Sequence, residues 1–95
     1  MVTPSKEQIL SLVKEYIEAK QKNESWTPGE DWLAYSGPMF DSDEYVAAVE
    51  TLLGGWLIYG KKGREFEVEF AKHMGCDDGV LTNSGSSANL LMVAA

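Results

Sequence analysis

Apolar side chains recur every three or four residues in three stretches of the chain, which is the spacing of one face of an α-helix. Ahead of the first stretch, Ser5 and Gln8 have the spacing of a capping box, so a helix is predicted to begin there. The face predicted to be buried comprises Ile9, Leu10, Val13, Tyr16 and Ile17. The opposite face is rich in lysine and glutamate and is predicted to lie in solvent.

The second stretch lies between a further capping box, Asp41 with Glu44, and the glycine pair Gly54–Gly55. A helix is predicted between these start and stop signals. Its buried side is predicted to comprise Val46, Ala47, Val49, Leu52 and Leu53. The acidic residues of its first turn complement the positive end of the helix dipole, which is a more ordinary role for them than metal binding.

The third stretch follows the turn at residues 61–63 and is predicted to form a helix that ends at Gly75. Phe66, Phe70 and Met74 are spaced along one face of this helix and are predicted to point inward.

Between the first two helices lies a linker, residues 24–40, which mixes turn-forming residues with Trp26, Trp32 and Tyr35. Flexible tethers are rich in Gly and Ser and carry few aromatic rings. The linker is therefore expected to lie across a surface that buries these rings, in another part of the protein or in a partner subunit. A disordered tether is the alternative.

The last part of the chain, residues 79–95, is typical of a strand, a tight loop and a helix. Gly79–Thr82 is the predicted strand, and Asn83–Ser87 is the turn that leads into the helix. A helix start leaves backbone N–H groups without partners and carries partial positive charge. Gly85, Ser86 and Ser87 are therefore predicted to bind an anion, most simply a phosphate group.

A single strand has unpaired backbone groups on both edges and needs neighbouring strands, which the sequence does not supply. The last helical pattern also runs to Ala95 without a stop signal. Both features predict that the native chain continues beyond Ala95, and that this segment alone is inactive and poorly folded.

Composition narrows the functional classes. The net charge of −7, from 8 Lys and Arg against 15 Asp and Glu, argues against nucleic-acid binding, which needs a basic surface. The sequence has no signal-like core and no apolar run long enough for a membrane span, so we expect a cytoplasmic protein without a membrane partner. Cys76 is the one cysteine, and with His73 alone it is too small a ligand set for zinc, so no metal site is predicted.

Three segments, Gly55–Gly60, Arg64–Ala71 and Asn83–Leu91, together resemble the DegT/DnrJ/StrS-type sugar aminotransferase–dehydratase family. The resemblance is strongest to the branch that removes the C-3 hydroxyl from nucleotide-linked 4-keto-6-deoxy sugars. It implies an α/β protein with the type I aminotransferase fold, mostly helical within these residues and with one strand. Residues 1–23 would then be an N-terminal amphipathic helix, residues 24–40 the linker, and residues 41–95 the start of the large cofactor-binding domain.

The resemblance also implies a cofactor, pyridoxal 5′-phosphate or pyridoxamine 5′-phosphate, whose phosphate is held by Gly85, Ser86 and Ser87. Tyr59 and Gly60 correspond to a segment near the cofactor and the sugar, and are the implied substrate contacts. No catalytic residue is implied within these residues. The implied partners are a nucleotide-linked sugar and a second subunit in a homodimer, and the implied pathway is deoxysugar biosynthesis of the lipopolysaccharide O-antigen type.

Residues beyond Ala95 would define the reaction. A lysine that binds the cofactor covalently would indicate an aminotransferase, whereas a histidine in its place would indicate a C-3 dehydratase. An iron–sulfur cluster, used by some dehydratases, would also need cysteines from that part. Two other interpretations stay open: a phosphate-binding module that is not an enzyme, and an interaction protein whose binding face comprises Trp26, Trp32 and Trp56.

Overall fold

A computed structural model describes residues 2–95 as helices joined by loops. Its helices are α1 (Lys6–Asn23), α2 (Ser42–Gly54), α3 (Lys61–Met74) and α4 (Gly85–Ala94). The chain forms two compact units, Met1–Leu57 and Ile58–Ala95, with α1 and α2 in the first and α3 and α4 in the second. The three-part division of the sequence drawn above stays a prediction.

Both capping boxes of the first unit are confirmed. The N–H of Gln8 donates to Ser5 Oγ at 3.2 Å, while the N–H of Ser5 donates to the Gln8 side chain at 2.8 Å. Asp41 and Glu44 form the same reciprocal pair at the start of α2. Gly55 ends α2 in the left-handed conformation, with φ of 73°, as the glycine pair predicts.

Helices α1 and α2 pack against each other. Ile17 is the buried apolar residue of α1, at 7% exposure, and Lys6 forms an ion pair with Glu50 on α2 at 2.7 Å. The prediction that Tyr16 is buried is wrong, because its side chain is 68% exposed. Since α2 is the helix that packs on α1 here, it covers only part of the wide apolar face that the sequence pattern describes.

The predicted buried side of α2 is only partly covered. Val46 and Val49 are half-buried, while Ala47, Leu52 and Leu53 are exposed, contrary to prediction. The buried residue of this helix is polar: Ser42, whose hydroxyl donates to a Glu18 carboxylate oxygen at 3.2 Å. Burial of these side chains depends on what packs against the helix, which periodicity alone does not specify.

The linker lies on the surface of the first unit. Its end is held by Gln21, whose side-chain amide donates to the carbonyl of Phe40 at 2.7 Å. Trp26, Trp32 and Tyr35 are all exposed, Trp32 at 89%. Within residues 2–95, no surface buries these rings, and their expected cover stays a prediction.

In the second unit, the residues that α3 buries are Glu67 and Ala71. Phe66 and Phe70 stack on each other with ring centroids 5.4 Å apart but remain half exposed. The prediction that both rings and Met74 point into a core is therefore wrong. The face that is covered is the adjacent one, where Gly79 crosses α3 so closely that a Cβ there would lie 2.7 Å from the Glu67 carbonyl oxygen. The predicted stop at Gly75 is confirmed, with φ of 71°.

The predicted strand Gly79–Thr82 is also wrong, since residues 2–95 contain no β-strand. The physical reason is the absence of a partner: a strand forms only when a neighbouring strand pairs with its backbone. In place of such a partner, the N–H of Leu81 donates to the carboxylate of Glu67 at 2.9 Å. The segment remains irregular but is bonded to α3.

Candidate phosphate-binding site

Helix α4 begins with a serine cap. Ser84 has an extended backbone, with φ of −164° and ψ of 161°, and its Oγ accepts the N–H of Ser87 at 3.1 Å. The first hydrogen bond of the helix runs from the N–H of Ala88 to the Ser84 carbonyl, at 3.1 Å. The N–H groups of Gly85 and Ser86 therefore have no carbonyl partner within the helix, and they lie at the positive end of its dipole.

A network of hydroxyl groups fixes the loop in front of the helix. Ser87 Oγ donates to Asn83 Oδ1 at 2.6 Å, and Ser84 Oγ donates to Ser87 Oγ at 3.1 Å. Thr82 Oγ1 donates to the Ser84 carbonyl at 2.9 Å. Because Thr82, Asn83, Ser84 and Ser87 are bonded to one another, the first-turn amides are held in a defined direction before any ligand binds.

The structure brings the three predicted phosphate residues together in the first turn of α4. Gly85 and Ser86 are exposed, and Ser87 is half-buried. Since the N–H of Ser87 is directed to Ser84 Oγ, the backbone donors that the fold leaves to a ligand are those of Gly85 and Ser86. The hydroxyl of Ser87 is directed to Asn83, whereas Ser86 carries its hydroxyl on the exposed part of the turn.

The surroundings of this turn fit a phosphate group. A Cβ placed on Gly85 would meet no atom within 4 Å, so the approach to the backbone is open. Residues 79–95 contain no aspartate or glutamate that would repel an anion. Backbone N–H groups at a helix start bind anions without a basic side chain, so the acidic net charge of the chain is no obstacle.

The predicted substrate contacts lie at the start of α3. Gly60 is the cap residue of this helix, and its carbonyl accepts the N–H of Arg64 at 3.0 Å. The hydroxyl of Tyr59 donates to Glu67 Oε2 at 2.6 Å, while its side chain stays 59% exposed. Both residues are thus positioned by α3.

Glu67 is the central residue of this unit, and the sequence interpretation did not identify it. Its side chain is only 8% exposed, and its carboxylate bonds to Tyr59, Leu81 and, at 3.5 Å, Arg64. The hydrogen bond from Tyr59, followed by the one from the Leu81 N–H, lowers the pKa of Glu67 from its ordinary value of 4.5. The same bond with Glu67 raises the pKa of Tyr59 above its ordinary value of 10.0.

One signal for Glu67 was available in the sequence. Its position places it four residues from both Gly63 and Ala71, two small residues that allow another chain segment to approach α3. An acidic residue in the middle of a small-residue face is a candidate for a buried, bonded carboxylate.

Among residues 2–95, no cluster of three or more histidine, cysteine or acidic residues could hold a metal ion. No helix in the same range combines the length and the apolar character that crossing a membrane requires.

Comparison with known proteins identifies the chain's relatives. It is 38% identical over its full 95 residues to dTDP-4-dehydro-2,6-dideoxy-D-glucose 3-dehydratase of Saccharopolyspora spinosa, and covers 20% of that protein. It is 33% identical over 90 residues, 95% of this chain, to lipopolysaccharide biosynthesis protein RfbH of Salmonella typhimurium strain LT2, covering 21% of it. It is also 38% identical over 58 residues, 59% of this chain, to dTDP-4-dehydro-2,3,6-trideoxy-D-glucose 4-aminotransferase of S. spinosa, covering 15% of it.

The chain thus spans about a fifth of the length of the first two relatives. No solved structure matches it. A family model matches residues 38–95. These residues include α2, α3 and α4, and also Glu67 with its partners Tyr59 and Leu81. On that match, the chain belongs to the DegT/DnrJ/EryC1/StrS aminotransferase family.

Proposed function

We propose that this chain is the start of the large domain of an enzyme that uses pyridoxal or pyridoxamine 5′-phosphate to remove the C-3 hydroxyl of a nucleotide-linked 4-keto-6-deoxyhexose. The observation that carries the proposal is the start of α4, where a capped, hydroxyl-bonded turn directs two backbone amides outward within the segment matched to the family. Deoxysugar 3-dehydratases and sugar aminotransferases are both among the chain's relatives.

Family membership supports the architecture. The family has the pyridoxal-phosphate-dependent aminotransferase fold, an α/β fold. In open α/β sheets, ligands bind beyond the carboxyl ends of the strands, where a loop leads into a helix. In our proposal, the loop before α4 takes this position in the complete protein.

In the proposed site the chain anchors the cofactor. The N–H groups of Gly85 and Ser86 donate to the phosphate oxygens, and the Ser86 hydroxyl adds a further donor. Ser87 contributes chiefly by bonding to Asn83 and Ser84, which keeps the turn in place. When bound, the cofactor supplies an electron sink for carbanion chemistry on the sugar. None of these residues transfers a proton.

Tyr59 and Gly60 are the proposed contacts to the sugar nucleotide. Because the Tyr59 hydroxyl donates its proton to Glu67, a contact with substrate would use the exposed ring or an oxygen lone pair as acceptor. Gly60 has an extended backbone, with φ of −167°, and its carbonyl already caps α3. Gly60 would therefore let the sugar nucleotide approach the backbone closely, and it would not act as a hydrogen-bond donor.

A second candidate function is transamination of a nucleotide-linked keto sugar. It is favoured by the match to the S. spinosa 4-aminotransferase, which is as identical to this chain over its shorter matched region as the 3-dehydratase is. The residue that separates the two reactions, a lysine or a histidine at the cofactor carbon, does not lie within residues 1–95. The proposal also includes an iron–sulfur cluster, a homodimer and a role in lipopolysaccharide biosynthesis.

The test uses the complete gene product. It is incubated with pyridoxal or pyridoxamine 5′-phosphate and with CDP- or dTDP-linked 4-keto-6-deoxyhexose, and the products are identified by mass spectrometry. Replacement of the C-3 hydroxyl by hydrogen, which is loss of one water followed by uptake of two electrons from the added reductant and two protons, supports the dehydratase. Replacement of the keto oxygen by an amino group, with glutamate as donor, supports the aminotransferase instead. Binding of the cofactor without either product would leave a phosphate-binding module and overturn the enzyme proposal.

A further inference from the structure

We propose that Glu67 is a positioning residue for the cofactor phosphate, acting through the segment that leads into α4. This inference rests on the proposed function. The hydrogen bonds of the Glu67 side chain go to Tyr59, Arg64 and Leu81, and not to the first turn of α4. Its two carboxylate oxygens hold different parts of the unit: Oε1 accepts the Leu81 N–H at 2.9 Å, and Oε2 accepts the Tyr59 hydroxyl at 2.6 Å.

Glu67 is buried, so its charge depends on its hydrogen bonds. A carboxylate that is 8% exposed loses most of its contact with water, and remains charged only when hydrogen bonds replace that water. The bonds from Tyr59 and Leu81 do so here, with Arg64 adding positive charge at 3.5 Å. The pKa of Glu67 lies below its ordinary value for the same reason. A solvated surface acid would need none of these partners.

The path of the chain connects Glu67 to the turn of α4. Gly79 lies against the Glu67 carbonyl and Ala71, and two residues later Leu81 bonds to the Glu67 side chain. Two residues after Leu81, Asn83 accepts the Ser87 hydroxyl at 2.6 Å and begins the bonded turn. The segment 79–83 is thus attached to α3 at one end and to the turn of α4 at the other.

This attachment sets the direction of the amides that would bind a ligand. The amides of Gly85 and Ser86 can act together only if their direction is set by the chain before them. With no strand beside residues 79–82 in the described chain, the Glu67 carboxylate is the group that supplies Leu81 with its acceptor. Without that acceptor, residues 79–82 are no longer held to α3 at Leu81, while the hydroxyl bonds within the turn stay intact.

The experiment compares two ligands in the complete gene product: pyridoxal 5′-phosphate, and pyridoxal, which lacks the phosphate. The variant is Glu67→Met, which keeps a similar side-chain length but removes the charge and both acceptor oxygens. The matched control is Glu69→Met, an exposed position on the same helix with the same change of charge. Binding is followed by cofactor absorbance, and folding by circular dichroism.

We expect E67M to weaken binding of pyridoxal 5′-phosphate about tenfold and binding of pyridoxal less than about twofold, with E69M like the wild type for both. A general loss of stability would weaken both ligands together, so the difference between them isolates the phosphate. A folded E67M protein that keeps the wild-type preference for the phosphorylated ligand would overturn the positioning role and leave the proposed function standing.

A wild-type protein that binds the two ligands equally would overturn the phosphate site itself, and the role of Glu67 with it. If E67M does not fold, Tyr59→Phe provides the second test, because it removes only the donor to Oε2. We expect about a threefold loss for the phosphorylated ligand and none for pyridoxal. Unchanged binding of both ligands to Y59F would then count against Glu67.

Discussion

Glu67 Oε1 accepts the backbone N–H of Leu81 at 2.9 Å, so a helix side chain takes the place that the carbonyl of a neighbouring strand takes in a β-sheet. A buried or half-buried N–H group needs an acceptor, and the described chain offers no strand to provide one. The pair links α3 to the segment before α4.

The first prediction concerns stability at acidic pH. The pKa of Glu67 is lowered by its bonds with Tyr59 and Leu81, so its contribution to stability is present above the ordinary value of 4.5 and is lost as pH falls through the lower, folded-state pKa. We expect the amide resonance of Leu81 in an NMR titration to move with that protonation. A Leu81 resonance that does not move while Glu67 is protonated would show that the bond does not form in solution.

The second prediction concerns stability at alkaline pH. The bond with Glu67 raises the pKa of Tyr59, so the stability it contributes is present below the ordinary value of 10.0 and is lost as pH rises through the folded-state pKa. We expect E67M to shift the pKa of Tyr59 back toward 10.0. The measurement is ultraviolet absorbance of tyrosinate, with Y59F subtracted to isolate this residue. The exposed-site variant E69M should leave the titration unchanged.

The success of the sequence interpretation depended on the range of the interactions involved. Caps at Ser5 and Asp41 and the stop at Gly55 were predicted correctly because each depends on residues at most three positions away. Burial of Tyr16 and Phe70 was predicted wrongly because it depends on which surface meets the helix, and periodicity shows only which side chains share a face.

The candidate site divides in the same way. The first turn of α4 could be predicted because Ser, Gly and Asn in a short loop form caps and turns by local bonds. The bonds of Glu67 could not be predicted, because its partners Tyr59 and Leu81 are 8 and 14 residues away, although its small neighbours Gly63 and Ala71 were a signal for its burial. The strand failed for a related reason: local propensity was present at Val80, but no partner strand was.

The third prediction tests the cap of α2. Asp41 accepts the N–H of Asp43 at 2.8 Å, and its own N–H donates to Glu44 at 2.8 Å. We expect Asp41→Ala to lower the free energy of unfolding of the complete gene product by about 1 kcal/mol, since it leaves a first-turn N–H without a partner. Asp41→Asn keeps an acceptor and should cost less. Equal losses in both variants, measured by denaturant unfolding, would assign the effect to charge instead of capping.

The fourth prediction uses two adjacent glycines as variant and control. Gly55 has φ of 73°, the left-handed conformation that ends α2, whereas Gly54 is the last residue of the helix and has no positive φ. A Cβ at either position would meet no atom within 4 Å, so the two sites differ in backbone conformation and not in available space. We expect Gly55→Ala to destabilise the complete gene product by about 1 kcal/mol, because a Cβ strains the left-handed region. Gly54→Ala should leave stability within about 0.5 kcal/mol or increase it, because alanine favours helix. Thermal unfolding of the two variants side by side measures the difference, and an equal effect of both would mean that the helix does not end at Gly55 in solution.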